Sequence, residues 1–287
     1  MGIHSAISLN YIGSLSYIGL LNYNGFFLPT HLTNSVSKPL TPSVFRRIFF
    51  YWAAFWAIVS TIFSATGSVT HNLLSKDIRV FRLWSRIWGR SMTMGMAIRV
   101  KTVQRVPLDL SKAYVFAINH QVALDIPAVG IGIPCPFGWV AKSELAKVPF
   151  LGASIKNSPS VFIDRSHPKK SVESMQIAGE RIQKGLSVAI FPEGSRSHST
   201  QIQEFKRGAF ILAIAAGVPV VPVTILNALE LFNEKTRLAR PGTMHIVIGK
   251  PINIDGWTRK DIPRLMGLVR DVMQGELDSW NRPNALP

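Results

Sequence analysis

The chain has 287 residues, of which 47% are hydrophobic and 17% charged, which excludes intrinsic disorder for its bulk and predicts one large core with an appendage. A single cysteine, Cys135, excludes an intramolecular disulfide and a cysteine zinc site, and fits a reducing compartment. The formal charge of +16 is unevenly spread: residues 46–109 hold ten basic groups against two acidic ones and are also the most aromatic stretch. Nucleic acid is open to any basic protein. Here the basic residues interleave with Trp, Phe and Ile around a long apolar run, so membrane lipid is the expected partner and nucleic acid is not.

Residues 1–42 are rich in Asn, Ser, Gly and Tyr without a regular period. They lack the positive n-region of a signal peptide and the arginines of a transit peptide, and are read as a poorly ordered extension. Ile48–Ala65 is almost wholly apolar and sits at the lower length limit for spanning a bilayer. Arg46 and Arg47 precede it, and Lys76, Arg79, Arg82, Arg86 and Arg90 follow, so flanking charge sets no orientation. In the following segment Val80, Phe81, Trp84, Ile87 and Trp88 form an apolar stripe, with the arginines on another face. Residues 43–97 are therefore expected to form a helical hairpin embedded in the membrane without fully crossing it, an ordinary buried helix pair being the alternative.

From residue 98 to 287 the chain alternates as an α/β domain. Strands are expected at Ala97–Thr102, Tyr114–Ile118, Phe137–Val140, Ser160–Ile163, Ser187–Phe191, Pro219–Ile225 and Thr243–Ile248. Helices are expected at Ser143–Ile155 with Ser143 as N-cap, at Pro168–Lys184, at Gly208–Ala216 and at Asp261–Trp280, with another starting near Leu124. The fold class is thus a largely parallel or mixed central sheet of about seven strands flanked by helices, preceded by the membrane-associated hairpin.

The candidate chemistry lies at the ends of these strands, where open α/β sheets place ligands. His120 and Asp125 follow the second strand. On one continuous helix they would lie roughly 140° apart, but a strand end, a turn and a helix start can fold the carboxylate onto the ring. Asp125 on one ring nitrogen would fix the tautomer and leave the other as a general base. Taken alone, the pair also reads as a turn cap. Phe191-Pro-Glu193-Gly194-Ser195-Arg196 follows the fifth strand, where Glu193 can hold the Arg196 guanidinium for bidentate phosphate binding, although a lone glycine turn also reads as structural. Arg165, beside Asp164, and Lys142, beside Glu144, supply further cations, each also readable as a surface ion pair. Pro219 and Pro222 bracket a short apolar strand that suits either a groove wall or the core. There is no G-x-S-x-G elbow, H-E-x-x-H helix or phosphate-binding P-loop in the sequence.

Together these segments resemble the glycerolipid acyltransferase family, most nearly the bacterial 1-acyl-sn-glycerol-3-phosphate acyltransferases, over about residues 98–250. Asn119-His120-Gln-Val-Ala-Leu-Asp125 is similar to the family's N-H-x4-D block, and Lys142-Ser-Glu-Leu145 with Pro149-Phe-Leu-Gly152 to its second region. Val161-Phe-Ile-Asp-Arg165 resembles the third, and Phe191-Pro-Glu-Gly-Ser-Arg196 the F-P-E-G-T-R block, with Ser195 in place of threonine. Phe205-Lys206-Arg-Gly208 and Val218-Pro219-Val-Val-Pro222 match as well.

The resemblance implies an enzyme that moves a fatty acyl group from acyl-CoA or acyl carrier protein to the sn-2 hydroxyl of 1-acyl-glycerol 3-phosphate. It implies His120 as base, Asp125 as its orienting partner, and Lys142, Arg165 and Arg196 with Glu193, Gly194 and Ser195 at the acceptor's phosphate and glycerol. Lys206, Pro219 and Pro222 would line the acyl groove or meet the donor. No bound cofactor and no metal is expected, and the cytoplasmic face of a bacterial inner membrane is the expected location. Rival readings are a glycerol 3-phosphate or other lysophospholipid acceptor, a thioesterase, or a non-catalytic membrane-binding module.

Overall fold

The computed structural model describes residues 44–75, 77–164 and 168–281, so the reading of residues 1–42 as a loose extension lies outside the described residues. The apolar run predicted over Ile48–Ala65 grows at both ends into a longer helix, α1 (Val44–Leu74). It is followed by α2 (Ile78–Gly95), whose N-cap Asp77 accepts the Arg79 backbone N–H at 2.8 Å.

Small side chains at helical spacing, Ala53, Ser60, Ser64 and Ser68, are buried along one face of α1 and let α2 approach closely. Indole N–H groups bond across the pair: Trp52 donates to the Gly95 carbonyl at 2.9 Å, Trp56 to Ser91 at 2.7 Å, and Trp88 to the Thr61 hydroxyl at 2.9 Å. The Trp56 ring covers Gly95, and the Trp84 ring covers Gly67. A methyl group at Gly95 would overlap the Trp56 indole. Gly95→Ala is accordingly expected to lower stability by about 1–3 kcal/mol, overriding the roughly 0.5–1 kcal/mol that alanine gains in a helix. Thermal unfolding in detergent measures it, and an unchanged midpoint would contradict this packing.

The opposite face of α1 is bare. Phe45, Ile48, Phe55, Val59 and Ile62 lie on it at helical spacing and are all exposed, Phe45 by 66% and Phe55 by 57%. By length and composition α1 can cross a membrane.

The rest is an α/β body. Its strands are β1 (Ile98–Gln104), β2 (Val115–Ile118), β3 (Phe137–Lys142), β4 (Val161–Ile163), β5 (Ser187–Ile190), β6 (Val220–Ile225), β7 (Phe232–Asn233), β8 (Leu238–Ala239) and β9 (Gly242–Ile248). The helices are α3 (Asp125–Gly132), α4 (Leu151–Lys156), α5 (Pro168–Gln183), α6 (Gly208–Ala216), α7 (Ala228–Leu231) and α8 (Ile262–Asn281). Among the described residues, seven strands form one sheet in the order β1-β9-β6-β2-β5-β3-β4, and β7 and β8 make a small separate hairpin. All pairs in the large sheet are parallel except β6 with β9. The mixed seven-stranded sheet expected from the sequence is the one present.

Strand alternation sends side chains to two cores. Phe116, Ile118, Ala189, Val223 and Met244 pack towards α1, α2 and α3. Val115, Ala117, Val188, Ile190 and Val220 pack towards α5, α6 and α8. One predicted helix breaks. Ser143–Ile155 is a 3-10 turn over Ser143–Lys147 and then α4, with Lys142, not Ser143, as the cap of the turn. Pro149 forces Val148 into extended backbone and cannot donate into a helix. Gly152 then packs on the carbonyls of Leu145 and Ala146, leaving no room for a Cβ.

Candidate active site

Strand β2 lies between β5 and β6; the chain runs from β2 to β3 on one side and from neighbouring β6 to β9 on the other, so the ends of β2 and β6 mark the switch point of the sheet. Asn119 and His120 stand there. The Asn119 amide spans to β6 as a peptide group would, donating to the Ile225 carbonyl at 3.0 Å and accepting its N–H at 2.7 Å. His120 is then held at backbone level from two loops. Its N–H donates to Glu193 Oε1 at 2.7 Å, and its carbonyl accepts the Ser197 N–H at 2.7 Å.

The chain turns through Gln121–Leu124 and enters α3 at Asp125. This brings Asp125 Oδ2 to 2.9 Å from His120 Nδ1. The same oxygen accepts the backbone N–H groups of Gln121 at 2.6 Å and Val122 at 2.8 Å. Asp125 is 0% exposed. Burial pushes its carboxyl pKa up, while the ring and the two N–H groups pull it back down. The first turn of α3 also favours an anion. With Nδ1 engaged by a carboxylate, Nε2 is the ring nitrogen left for chemistry, and no hydrogen bond occupies it among the described residues. The ring lies on Phe191 at 4.0 Å, which stacks on Trp139 at 5.6 Å. All three sit on the sheet face that carries α1 to α3.

Glu193 does not hold Arg196. Its carboxylate, 3% exposed, accepts His120 N–H through one oxygen and Gln203 N–H at 3.0 Å through the other, so both are spent on backbone. Burial raises its pKa, and the His120 and Gln203 amides lower it. Arg196 pairs with Glu234, on the turn between β7 and β8. Sequence reasoning missed Glu234: it belongs to no motif, and the contact spans 38 residues.

Gly194, at φ +81°, takes the left-handed turn that carries the exposed Ser195 and Arg196 over the strand ends. Lys142 ends β3 and pairs with Glu144 at 2.8 Å on the surface. Continuing the pairing register puts it level with Asn119, two strands away at roughly 10 Å. Arg165 lies outside the described residues. The Lys206 side chain is exposed just before α6, and its N–H donates to the Pro192 carbonyl at 2.7 Å. The two prolines are not beside these groups. Pro222 is buried within β6, paired with Ala117 of β2, and Pro219 precedes β6 at the opposite edge of the sheet from His120. Pro222 therefore stands in a core strand, and Pro219 is half-buried at its start.

An oriented imidazole with a free Nε2, on the same loop cluster as an arginine, is equipped to take a proton beside an anion. Comparisons with known proteins agree with a transfer enzyme of this kind. The model of the Acyltransferase family matches residues 97–226. A 1-acyl-sn-glycerol-3-phosphate acyltransferase of Pseudomonas aeruginosa is 32% identical over 180 residues, covering 62% of this chain and 68% of that protein. The protein of the same name in Saccharomyces cerevisiae is 29% identical over 238 residues, covering 80% and 78%. The crystal structure of the 1-acyl-sn-glycerophosphate acyltransferase from Thermotoga maritima shares the fold, with a TM-score of 0.71 and 22% identity over 85% of this chain and 99% of that one. Motif order, fold and sequence similarity converge, and the chain belongs to the glycerolipid acyltransferase family as an acyltransferase enzyme.

Proposed function

We propose that the protein acylates 1-acyl-glycerol 3-phosphate at its sn-2 hydroxyl, using acyl-CoA or acyl carrier protein as donor and making phosphatidic acid. The observation that carries the reading is the His120 ring, fixed through Nδ1 by a buried carboxylate and presenting Nε2 at the sheet edge where Arg196 also stands. Nε2 takes the proton of the acceptor hydroxyl as its oxygen attacks the thioester carbonyl carbon. The new C–O bond forms, the C–S bond breaks, and the departing sulfur takes the proton back from the imidazolium. No protein nucleophile is required, because the acceptor supplies it. The general base contributes on the order of 10²–10⁴ in rate. Arg196 pairs with the acceptor phosphate, with Lys142 at the end of β3 and Arg165 as further cations.

Membrane association gives this site its access. His120 opens on the sheet face that carries α1. α1 is also tied to the α/β body near both ends: the Arg237 guanidinium donates to the Tyr51 hydroxyl at 3.4 Å, and the Asn72 amide donates to the Asn157 carbonyl at 3.1 Å. The intervening helix spans roughly 32 Å at 1.5 Å per residue. A helix fastened along the body over that length favours the hairpin lying in one leaflet, its bare Phe45–Ile62 stripe in lipid. Each such Phe or Ile gains roughly 1.5–3 kcal/mol on full burial. Acceptor and product, both acylated, would then enter and leave sideways. The relatives include both a bacterial and a yeast protein, so the similarities do not single out a bacterial inner membrane as the location.

Purified protein incubated with labelled acyl-CoA or acyl carrier protein and a panel of acceptors tests the reading. Transfer to 1-acyl-glycerol 3-phosphate is expected to exceed transfer to glycerol 3-phosphate, to other lysophospholipids and to water. Arg196→Ala should raise the acceptor KM by about ten- to a hundredfold, the loss of a charge-assisted contact to phosphate, with a smaller change in kcat. Preferred transfer to glycerol 3-phosphate would reassign the acceptor; vesicle binding without any transfer would reduce the chain to a membrane-binding module.

A further inference from the structure

The β7–β8 hairpin is absent from the motif-bearing strand ends, yet it reaches the site. Its turn carries Glu234, partly buried, whose two oxygens bridge two functional pieces. Oε2 takes the Arg196 guanidinium through Nη1, and Oε1 accepts the backbone N–H of Ala123, in the turn between His120 and Asp125. The carboxylate thus engages one nitrogen of Arg196 and leaves the Nη2 side of the fork for a bidentate anion.

The seat of Glu234 is itself fixed. Phe232, buried at the start of the hairpin, stacks on Phe50 of α1 at 5.0 Å. The Asn233 side chain accepts the Thr236 N–H at 3.0 Å and closes the turn. The Arg240 guanidinium ties the hairpin base to Glu230, at 3.1 Å to its carbonyl and 2.7 Å to its carboxylate. A flexible surface acid would gain little from Arg196, since exposed ion pairs spend most of their attraction on ordering two long side chains. An acid already ordered, and anchored to the His120 turn by a second bond, sets where the guanidinium stands relative to the base.

We propose that Glu234 is a positioning residue for acceptor binding. It registers Arg196 against the His120–Asp125 turn, so that a phosphate on the arginine places the acceptor hydroxyl at Nε2, and it does so from a hairpin braced on the membrane helix. This rests on the reading of Arg196 as the phosphate-binding group. The step it serves is the acyl transfer already described, and Glu234 itself exchanges no proton with substrate.

The test is a double-mutant cycle with 1-acyl-glycerol 3-phosphate as acceptor. Glu234→Gln keeps shape and the bond to Ala123 while removing the charge. It is expected to raise the acceptor KM about tenfold, the loss of one charge-assisted hydrogen bond, with donor KM, kcat and thermal midpoint within about twofold or a few degrees of wild type. In an Arg196→Ala background the same change should alter the acceptor KM less than about twofold, because the partner it positions is gone. Additive effects in the cycle, an unchanged acceptor KM, or joint loss of kcat, donor KM and thermal midpoint would each overturn the role. Wild-type enzyme that turns over this acceptor while the cycle is additive overturns only the inference; wild-type enzyme that does not accept it overturns the proposed function, and this role with it.

Discussion

His120→Ala is expected to cut acyl transfer by on the order of 10²–10⁴, with acceptor affinity within about threefold of wild type. The asymmetry follows from how the residue is held. Its N–H and carbonyl are bonded to Glu193 and Ser197 whatever side chain it carries, so the turn survives the substitution. What disappears is the proton acceptor and the ring stacked on Phe191. The guanidinium of Arg196, proposed to bind the phosphate, is secured by Glu234 and makes no bond to the His120 ring. Initial rates with saturating donor give the first quantity, and titration calorimetry of the acceptor without donor gives the second. Turnover near that of wild type would remove His120 from the chemistry. A parallel collapse of affinity would mean that the ring helps to bind the acceptor.

Asp125 is the second large effect, and two substitutions separate its two jobs. Asp125→Ala leaves the N–H groups of Gln121 and Val122 unpaired in the core. Each buried unpaired donor costs roughly 1–3 kcal/mol, so roughly 2–6 kcal/mol is lost, against a typical total of 5–15 kcal/mol. Denaturant unfolding in detergent should show it as a much lower midpoint. Asp125→Asn can place its carbonyl oxygen where Oδ2 lies and keep the three hydrogen bonds, at the cost of burying an amide NH2 at the Oδ1 position, which has no partner. Its stability should fall less, yet transfer should still drop by at least about a hundredfold, because the imidazolium loses its counter-charge. Equal activity in wild type and Asp125→Asn would confine Asp125 to a structural role.

The strand edge was legible and its cross-bracing was not. β2, β5 and β6 are buried on both faces, so they read as largely apolar runs such as Val115–Ile118 and Val220–Ile225, and their boundaries came within about a residue. His120 and Asp125 were legible as a pair because only five positions separate them, and a turn between strand and helix has few ways to close. Reading the apolar run as ending at Ala65 stops α1 short, because Gly67 and Ser68 look like the end of that run, whereas they continue the small-residue face of Ser60 and Ser64 that admits α2 and its tryptophans. Ser143–Ile155 has helical periodicity, and one proline overrules it. The partners of Glu193 and Arg196 are contacts across sheet and hairpin. Adjacency in sequence suggested that the two side chains meet, but residues on a left-handed turn at Gly194 diverge, and each finds a partner tens of residues away.

The backbone bonds around His120 have a consequence for exchanging parts between relatives. The histidine loop and the Phe191–Ser197 loop are joined by Glu193 and by the Ser197 N–H, so neither has an independent shape. A chimaera that imports one loop from a relative and keeps the other native would have to preserve a carboxylate at position 193 and the backbone path to Ser197. Exchanged as a matched set, the loops can travel from one scaffold to another, with the residues facing the substrate left free to diverge.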